Sequence, residues 1–419
     1  MMAAEAHIQR GHRLPSYALF AGLLAAAGLP IYIHAPKFFV DTYGVSLASL
    51  GAVLFALRLL DVVQDPLLGR LARAVQNYRA LSAGIALAIL ASAMVGLFAV
   101  TPPVAPLIWF AAMLTLLFSA YSYLTIIFYA QGVAKAPTLG QGGHLQVARW
   151  RETGALLGVC LASVAPVAAA ALSAHPFAVF AAAFAGVALM AALAMQTEWS
   201  ATSTSTPSGF GIVLRDPPAR RLLLIALVNA APVAVSSTLF LFFVESRLAA
   251  PGAEGPLLLL FFLSAAVAAP LWGRLADRLG ARSVLLVGMV LSILAFGGAL
   301  FLGTGDITWF ALICLASGAA LGADMTLLPA MFSQRMARIA PEASEAFGLW
   351  SFVTKFALAF AAVTLLPLLE AAGFQSGTDN SPQALTRLTL LYAAVPCALK
   401  LVAIALLATF KTEDSTWQN

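Results

Sequence analysis

Long apolar stretches, separated by short polar or basic turns, recur from one end of the chain to the other. Twelve stand out, at 17–39, 46–64, 81–100, 104–130, 149–172, 176–196, 219–245, 254–273, 283–303, 307–331, 346–369 and 386–410. Each is close to the roughly 20 residues that a helix needs to cross a bilayer. The runs are continuous, whereas the strands of an outer-membrane barrel alternate apolar and polar positions. The pattern predicts an all-α membrane protein of twelve transmembrane helices.

Composition agrees. Hydrophobic residues make up 61% of the 419 and charged residues 10%, against about 25% charged in a soluble domain. The net charge of +5 is a topology signal rather than a footprint for nucleic acid, because the basic residues gather in alternate loops. Arg10 and Arg13 precede the first run, and Arg70, Arg73 and Arg79 follow the second. Lys135 follows the fourth, Arg215, Arg220 and Arg221 lie between the sixth and seventh, and Arg274, Arg278 and Arg282 follow the eighth. Arg335 and Arg338 follow the tenth and Lys411 ends the twelfth, while Arg247 and Arg387 are the main exceptions on the other side. Both termini are therefore expected in the cytoplasm of a bacterial inner membrane. The first sixteen residues are polar and basic, and the run behind them is long enough to stay as a span, so no cleaved signal is expected. Cys160, Cys314 and Cys397 fall inside runs, with no disulfide framework or metal-ligand spacing. The expected partners are the lipid bilayer and a small-molecule substrate, with no nucleic acid, and the chain is expected to be a monomer.

Ionisable side chains inside the runs carry the chemistry. The second run contains Arg58-Leu-Leu-Asp61-Val-Val-Gln-Asp65-Pro66-Leu-Leu-Gly69. At 3.6 residues per turn, Arg58, Asp61 and Asp65 share one face. A charge facing lipid is costly, so acids in membrane helices face protein or water and mark an ion or proton path. Two carboxylates one turn apart cannot both stay ionised cheaply in low dielectric, so the pair can hold a proton or a sodium ion. Hard oxygen ligands suit a hard cation. Pro66 has no amide proton and disfavours helix at the residue before it, so the helix is expected to end there, either to expose carbonyls near the acids or as a plain stop.

Residues 197–218 form the one extended polar stretch in mid-chain, Ser/Thr-rich from Ala201 to Gly209. It divides the runs six and six. A repeat supports the division: Gly69-Arg70-Leu71-Ala72 follows the second run and Gly273-Arg274-Leu275-Ala276 the eighth, about half the chain later. Paired repeats around a midplane site are common in transporters. The second copy continues Asp277-Arg278-Leu279-Gly280 and resembles the cytoplasmic loop signature of the major facilitator superfamily. That resemblance implies an N-terminal six-helix bundle at 1–196, a cytoplasmic central loop at 197–218 and a C-terminal bundle at 219–419. It also implies a conformational latch from Gly273, Asp277 and Arg278. The first copy departs from the pattern, with Arg73 where the acid belongs.

Arg58 to Gly69 resembles the helix-two signature R-x-x-D-x-x-x-D-P-x-x-G of the glycoside–pentoside–hexuronide:cation symporters, the melibiose-permease branch of that superfamily, and matches at every fixed position. Tyr121-Ser122-Tyr123-Leu124-Thr125, Arg149-Trp150-Arg151-Glu152 and Thr354-Lys355 follow in the family's order. The resemblance implies that Asp61 and Asp65 bind the coupling cation, that Ser122 stands where a hydroxyl coordinates it, and that Lys355 lies near the acids, with Arg58 beside them. It implies that Arg149 lines the sugar site. Thr125 stands where the sugar permease has an acid, Tyr129 replaces its stacking Trp, and Ala25 to Gly28 offers no acid in helix one. Two sugar-binding carboxylates are thus missing.

Other polar groups inside the runs are substrate-site candidates. Helix one carries Tyr32, His34, Lys37 and Asp41. Lys37 with Asp41 also fits a snorkelling pair at the outer boundary, and His34 a packing residue. Pro30 and Pro36 predict a bend. Asp324 lies mid-run with no base at helical spacing, and Trp350 is positioned to stack a ring or to pack. Asn229, Ser236, Ser237 and Thr238 also suit helix–helix contacts. Arg151 and Glu152 read as interfacial charges. Arg149 with Lys355 favours a carboxylate or phosphate on the substrate, offset by Asp61, Asp65 and Asp324.

The expected function is a sodium- or proton-coupled symporter of a small polar organic solute, a sugar or organic anion, working by alternating access and needing no cofactor beyond the coupling ion. The alternative is a proton-driven exporter or a carrier of an amphiphilic, lysolipid-like substrate. No metalloprotease His-x-x-Glu-His run, Gly-x-Ser-x-Gly elbow or phosphate loop is present, so an enzyme is not expected.

Overall fold

The computed structural model describes residues 14–170, 173–199, 209–374 and 380–410. His7, Arg10, His12, Arg13, Lys411 and residues 200–208 of the linker lie outside them. The described residues are helical and contain no strand. The helices are α1 (Leu14–Ala26), α2 (Leu29–Tyr43), α3 (Leu47–Ala74), α4 (Arg79–Phe98), α5 (Pro106–Lys135), α6 (Gly143–Ala170) and α7 (Pro176–Met195). After the linker come α8 (Phe210–Arg215), α9 (Pro217–Phe242), α10 (Glu254–Leu279), α11 (Ala281–Gly298), α12 (Ile307–Ile339), α13 (Ser344–Glu370), α14 (Pro382–Thr389) and α15 (Val395–Ala408).

Among the described residues nine helical stretches are long and apolar enough to cross a membrane. The pair α1–α2, α3 and α13 occupy the other three of the twelve runs. Leu161, Leu189, Leu294 and Phe301 stand exposed on the helix flanks, as acyl chains allow and water would not. By internal packing the chain forms two compact units, Met1–Val213 with Ser333–Phe352, and Leu214–Phe332 with Val353–Asn419. The first unit therefore includes the last turns of α12 and the first turns of α13.

Local signals set the helix ends. Ser46 accepts from the Ser49 amide at 3.2 Å to cap α3, and Asp216 accepts from the Ala219 amide at 2.8 Å to cap α9, with Pro217 following. Gly44, at φ 67°, closes α2 in the left-handed conformation that glycine adopts without penalty. Two expectations change. The first run does not merely bend but breaks at Ala27–Gly28, with Pro30 in the first turn of the new helix, where a missing amide proton costs nothing. Pro66 does not end the second run, because α3 continues to Ala74 with Pro66 inside it. The turns beyond Pro66 carry buried Gly69 and Ala72, so packing there outweighs one lost helical hydrogen bond. The Pro66 nitrogen still has no proton to give the Val62 carbonyl, one residue past Asp61.

In the first unit α1 packs most closely along α6, while α4 packs on α5 and α7. The α1–α6 distance is set by glycine. A methyl group on Gly154 would stand 2.1 Å from the Ala18 carbonyl oxygen, and one on Gly158 would stand 2.2 Å from that of Gly22. Small residues at such crossings bring backbones together where no hydrophobic drive acts between helices. In the second unit α15 packs on α9 and α11. A π-turn at Leu390–Ala394 joins α14 to α15, and another at Phe243–Arg247 ends the span of α9. They meet where Phe243 stacks on Tyr392, ring centroids 4.2 Å apart, with Phe310 beside them.

Gly158→Ala is expected to lower stability by about 1–3 kcal/mol, the usual cost of overpacking, read as a lower Tm of the detergent-purified protein. Gly186→Ala, where a methyl meets nothing within 4 Å, is expected to leave Tm unchanged or higher.

Candidate functional site

The two acids of α3 are withdrawn from the surface. Asp61 is 5% exposed and Asp65 0%. The Gln64 amide donates to Asp61 Oδ1 at 2.8 Å, and Ser119 of α5 donates to Gln64 Oε1 at 2.9 Å. Ser351 of α13 donates to Asp65 Oδ2 at 2.6 Å. Ser122 lies on α5, fully buried. Tyr121, next to it, places its hydroxyl 3.9 Å from where a Gly28 side chain would begin, beside the α1–α2 break.

A glycine crossing puts Ser351 where it is. A methyl on Gly348 would lie 2.9 Å from the Asp65 carbonyl oxygen and 3.3 Å from the Gly69 Cα. A methyl on Gly69 would lie 3.0 Å from the Ser344 carbonyl oxygen. With the α3 and α13 backbones in this contact, position 351, three residues beyond Gly348, falls on the same face and reaches Asp65. Gly69 of the helix-two signature thus has a steric role one turn from the acid.

Around the next turns of α5 a second cluster forms. The Arg151 guanidinium lies 3.7 Å from the centroid of the Tyr129 ring and donates through Nε to Glu152 at 2.7 Å. The Tyr129 hydroxyl donates to the same Glu152 oxygen at 3.1 Å, and its ring contacts Phe347 at 5.2 Å. Arg151 and Glu152 are 4% and 2% exposed. They are therefore not interfacial charges, because each shields the other and Tyr129 covers the guanidinium. Arg149 is half-buried on the same helix. Thr125 donates its hydroxyl to the Tyr121 carbonyl at 2.8 Å, and Trp350 is buried.

The ends of α12 and α13 that belong to this unit are tied by charge. Arg79 donates to Glu342 at 2.6 Å and to Ser344 at 3.3 Å, and Ser344 donates to Glu342 at 2.5 Å. Arg73 reaches Glu345 at 3.4 Å, and His144 Nδ1 lies 2.8 Å from the Ser333 hydroxyl.

The second unit holds a cluster that the sequence analysis half anticipated. Asp324 of α12 pairs with Lys400 of α15, whose Nζ also donates to Asn229 Oδ1 of α9 at 2.6 Å. Lys400 was visible as a lysine in the middle of the last apolar run. The rule that singled out Asp324 applies to it equally. Ser351, Gln64 and Ser119 gave no comparable signal, since hydroxyls and amides are common in such helices. Lys355 is half-buried on α13, and in α10 Gly273 is buried while Asp277 and Arg278 are exposed. The side chains of Tyr32, His34, Lys37 and Arg58 lie outside the described residues.

Twelve spans with carboxylates buried inside them make the chain a membrane transporter in build. Residues 16–414 match the MFS/sugar transport protein family, and the chain belongs to it. In backbone it is similar to the E. coli fucose:proton symporter, with a TM-score of 0.66 at 14% identity over 95% of this chain and 99% of that one. It is likewise similar to a bacterial homologue of the iron transporter ferroportin in an outward-facing state, with a TM-score of 0.68 at 16% identity over 95% and 99%. No curated protein matches the chain in sequence. The fold is that of the major facilitator superfamily.

Arg79→Ala would leave Glu342 buried beside no guanidinium. A loss of about 3–5 kcal/mol is expected, as when one partner of a buried pair is removed, with a matching fall in Tm. Burial pushes the Glu342 carboxyl above the ordinary carboxylate range, against the pull of Ser344 and Arg79. Such a carboxyl binds its proton more tightly folded than unfolded. Its stabilising contribution is full below the unfolded pKa of about 4.3 and is lost as pH rises through the raised folded value. Glu342→Gln is therefore expected to flatten the dependence of Tm on pH across the mildly acidic range.

Proposed function

We propose that the chain is a cation-coupled symporter, driven by sodium or protons, that imports a small polar organic solute by alternating access. The observation that supports this most is the burial of Asp61 and Asp65 one turn apart on α3, among oxygen-bearing partners from α3, α5 and α13. Hydroxyl and amide donors can turn away as a cation enters, leaving carboxylate oxygens as its ligands. Ser122 adds an oxygen on α5, and Arg58, on α3 with the acids, balances them when the cation is absent; the family resemblance gives Lys355 the same role. A sugar or organic anion is the substrate class, in keeping with the family's description, and the two carboxylates missing from helix one and α5 argue against a melibiose-like disaccharide.

Thr125, Tyr129, Arg149, Trp350, Tyr32 and His34 form the pool of substrate-contacting residues in this reading, and Gly273, Asp277 and Arg278 the conformational latch; Asp324, enclosed against Lys400, is left out of the pool. Tyr129 is the best prepared of the pool, because Arg151 and Glu152 fix its ring and hydroxyl. The protein works as a monomer in a bacterial inner membrane with both termini in the cytoplasm.

Purified protein is to be screened by thermal shift against sugars, organic acids and lysolipids, in sodium and in choline salts at several pH values. A ligand that binds the folded state raises Tm. The hit is then taken into proteoliposomes. Asp61→Asn is expected to cut gradient-driven accumulation at least tenfold, or about 1.4 kcal/mol of coupling, and to remove the cation-dependent part of the Tm shift. Full cation-dependent uptake by Asp61→Asn would overturn the assignment. A Tm response to lysolipids alone would favour the amphiphile carrier instead.

A further inference from the structure

We propose that Asn229, Asp324 and Lys400 form a proton-binding site in the second unit, separate from the acids of α3. The three side chains come from three spans, each near the middle or just past it. They are 5%, 8% and 1% exposed. At that degree of enclosure a sugar or a hydrated ion cannot enter without unpacking α9, α12 and α15, whereas a proton can.

The donor and acceptor inventory shows where the proton goes. Lys400 gives one hydrogen bond to Asp324 Oδ2 and one to Asn229 Oδ1. Asp324 Oδ1 is buried and has no hydrogen-bond partner. An orphaned carboxylate oxygen in the interior is costly, and protonation there removes the charge that makes it so. The step is a single O–H bond formed at Oδ1. The carboxylate becomes a neutral acid, Lys400 keeps its own three protons, and Asn229 Oδ1 remains to hold the ammonium. The cluster moves from net zero to one positive charge, so loading it changes the field within the second unit.

Asn229 gives Lys400 a place to stay when it releases the carboxylate. The helix that carries Lys400 is also built to shift. The π-turn at Leu390–Ala394 and Pro396 lie one to two turns before it. π-turns and prolines are where long helices change register or kink.

The other ionisable groups on the packed elements are committed or distant. On α9, Arg221 donates to the Leu406 carbonyl and to Thr409, and on α11 Arg282 donates to the Ala408 carbonyl, all more than a turn past Lys400. In the π-turn Tyr392 is stacked on Phe243, and on α15 Cys397 points its thiol at the Ile293 carbonyl. α10 and α11 pack on α12 at Gly318, Gly322 and Gly288. The ionisable residues of α10, Glu254, Arg274, Asp277 and Arg278, stand at its two ends, and Cys314 lies nearly three turns before Asp324.

The test uses the full chain in detergent with the proton alone as probe. Infrared difference spectra are recorded as the pH is stepped from alkaline to acidic. The wild type is expected to gain a protonated-carboxyl C=O band that Asp324→Asn lacks. Lys400→Met removes the competing cation, so its band is expected to appear at a higher pH, by about one unit or more, a tenfold change in proton affinity. Should Asp324→Asn fail to fold with its lone buried lysine, the double variant D324N/K400M carries no charge at the site and supplies the blank spectrum. A band that persists in the Asn variant, or a midpoint unmoved by Lys400→Met, overturns the proposal and leaves the pair as a clamp between helices. No substrate enters the assay, so its failure is independent of the symporter reading of Asp61 and Asp65.

Discussion

A charge inside a membrane helix has to be answered by protein, and that constraint organises both units. Unanswered, a carboxylate or ammonium at mid-span costs several kcal/mol. Among the described residues several are answered by a partner from another part of the chain. Asp65 meets Ser351, Asp324 meets Lys400 and Asn229, and Lys135 of α5 pairs with Glu198 at 2.7 Å beyond the end of α7. Arg151 and Glu152 answer each other and enlist Tyr129. Each such contact fixes the register of one helix against another, which apolar side chains in lipid cannot do alone.

Those contacts need the helices close, and glycine supplies the closeness. Side-chain hydroxyls are short. Ser351 reaches Asp65 only because Gly348 and Gly69 let the backbones of α13 and α3 touch. The same device holds α1 against α6 at Gly154 and Gly158, and from there α6 presents Arg151 and Glu152 to Tyr129. Steric permission at the glycines therefore comes before the electrostatics, and a bulky substitution there would move the polar groups out of range before it removed any of them.

Much of this was legible from residue order alone, for a physical reason. Lipid imposes length and apolarity on every span, so the twelve runs announce themselves, and any ionisable residue inside one stands out against them. Asp61, Asp65 and Asp324 were found in that way. What the one-dimensional pattern could not carry was which helix would supply the partner. Ser351 looks like any serine, and Lys400 was passed over because it belonged to no spacing motif. Pro66 misled in the opposite sense. Its local preference is to stop a helix, but burial of Gly69 and Ala72 beyond it holds α3 together to Ala74. Arg151 and Glu152 were misplaced because two opposite charges at the start of a run look the same whether they face headgroups or each other.

The two buried acid clusters are proposed to take up different ions, and the donors around them bear on that difference. The partners seen on Asp61 and Asp65 include neutral donors, an amide and a hydroxyl. A neutral donor rotates away at the cost of one hydrogen bond and frees a carboxylate oxygen for an arriving cation. Asp324 is held by an ammonium ion, which can leave the ionised carboxylate only by exposing two charges at once, a cost that protonation of Asp324 removes. An incoming metal cation would be repelled by Lys400, whereas a proton neutralises the carboxylate in place. In the symporter reading the first unit would hold a cation by coordination, and in the proton-site proposal the second would take up charge by titration. Two such sites would give ion gradients two separate handles on the conformations of the chain.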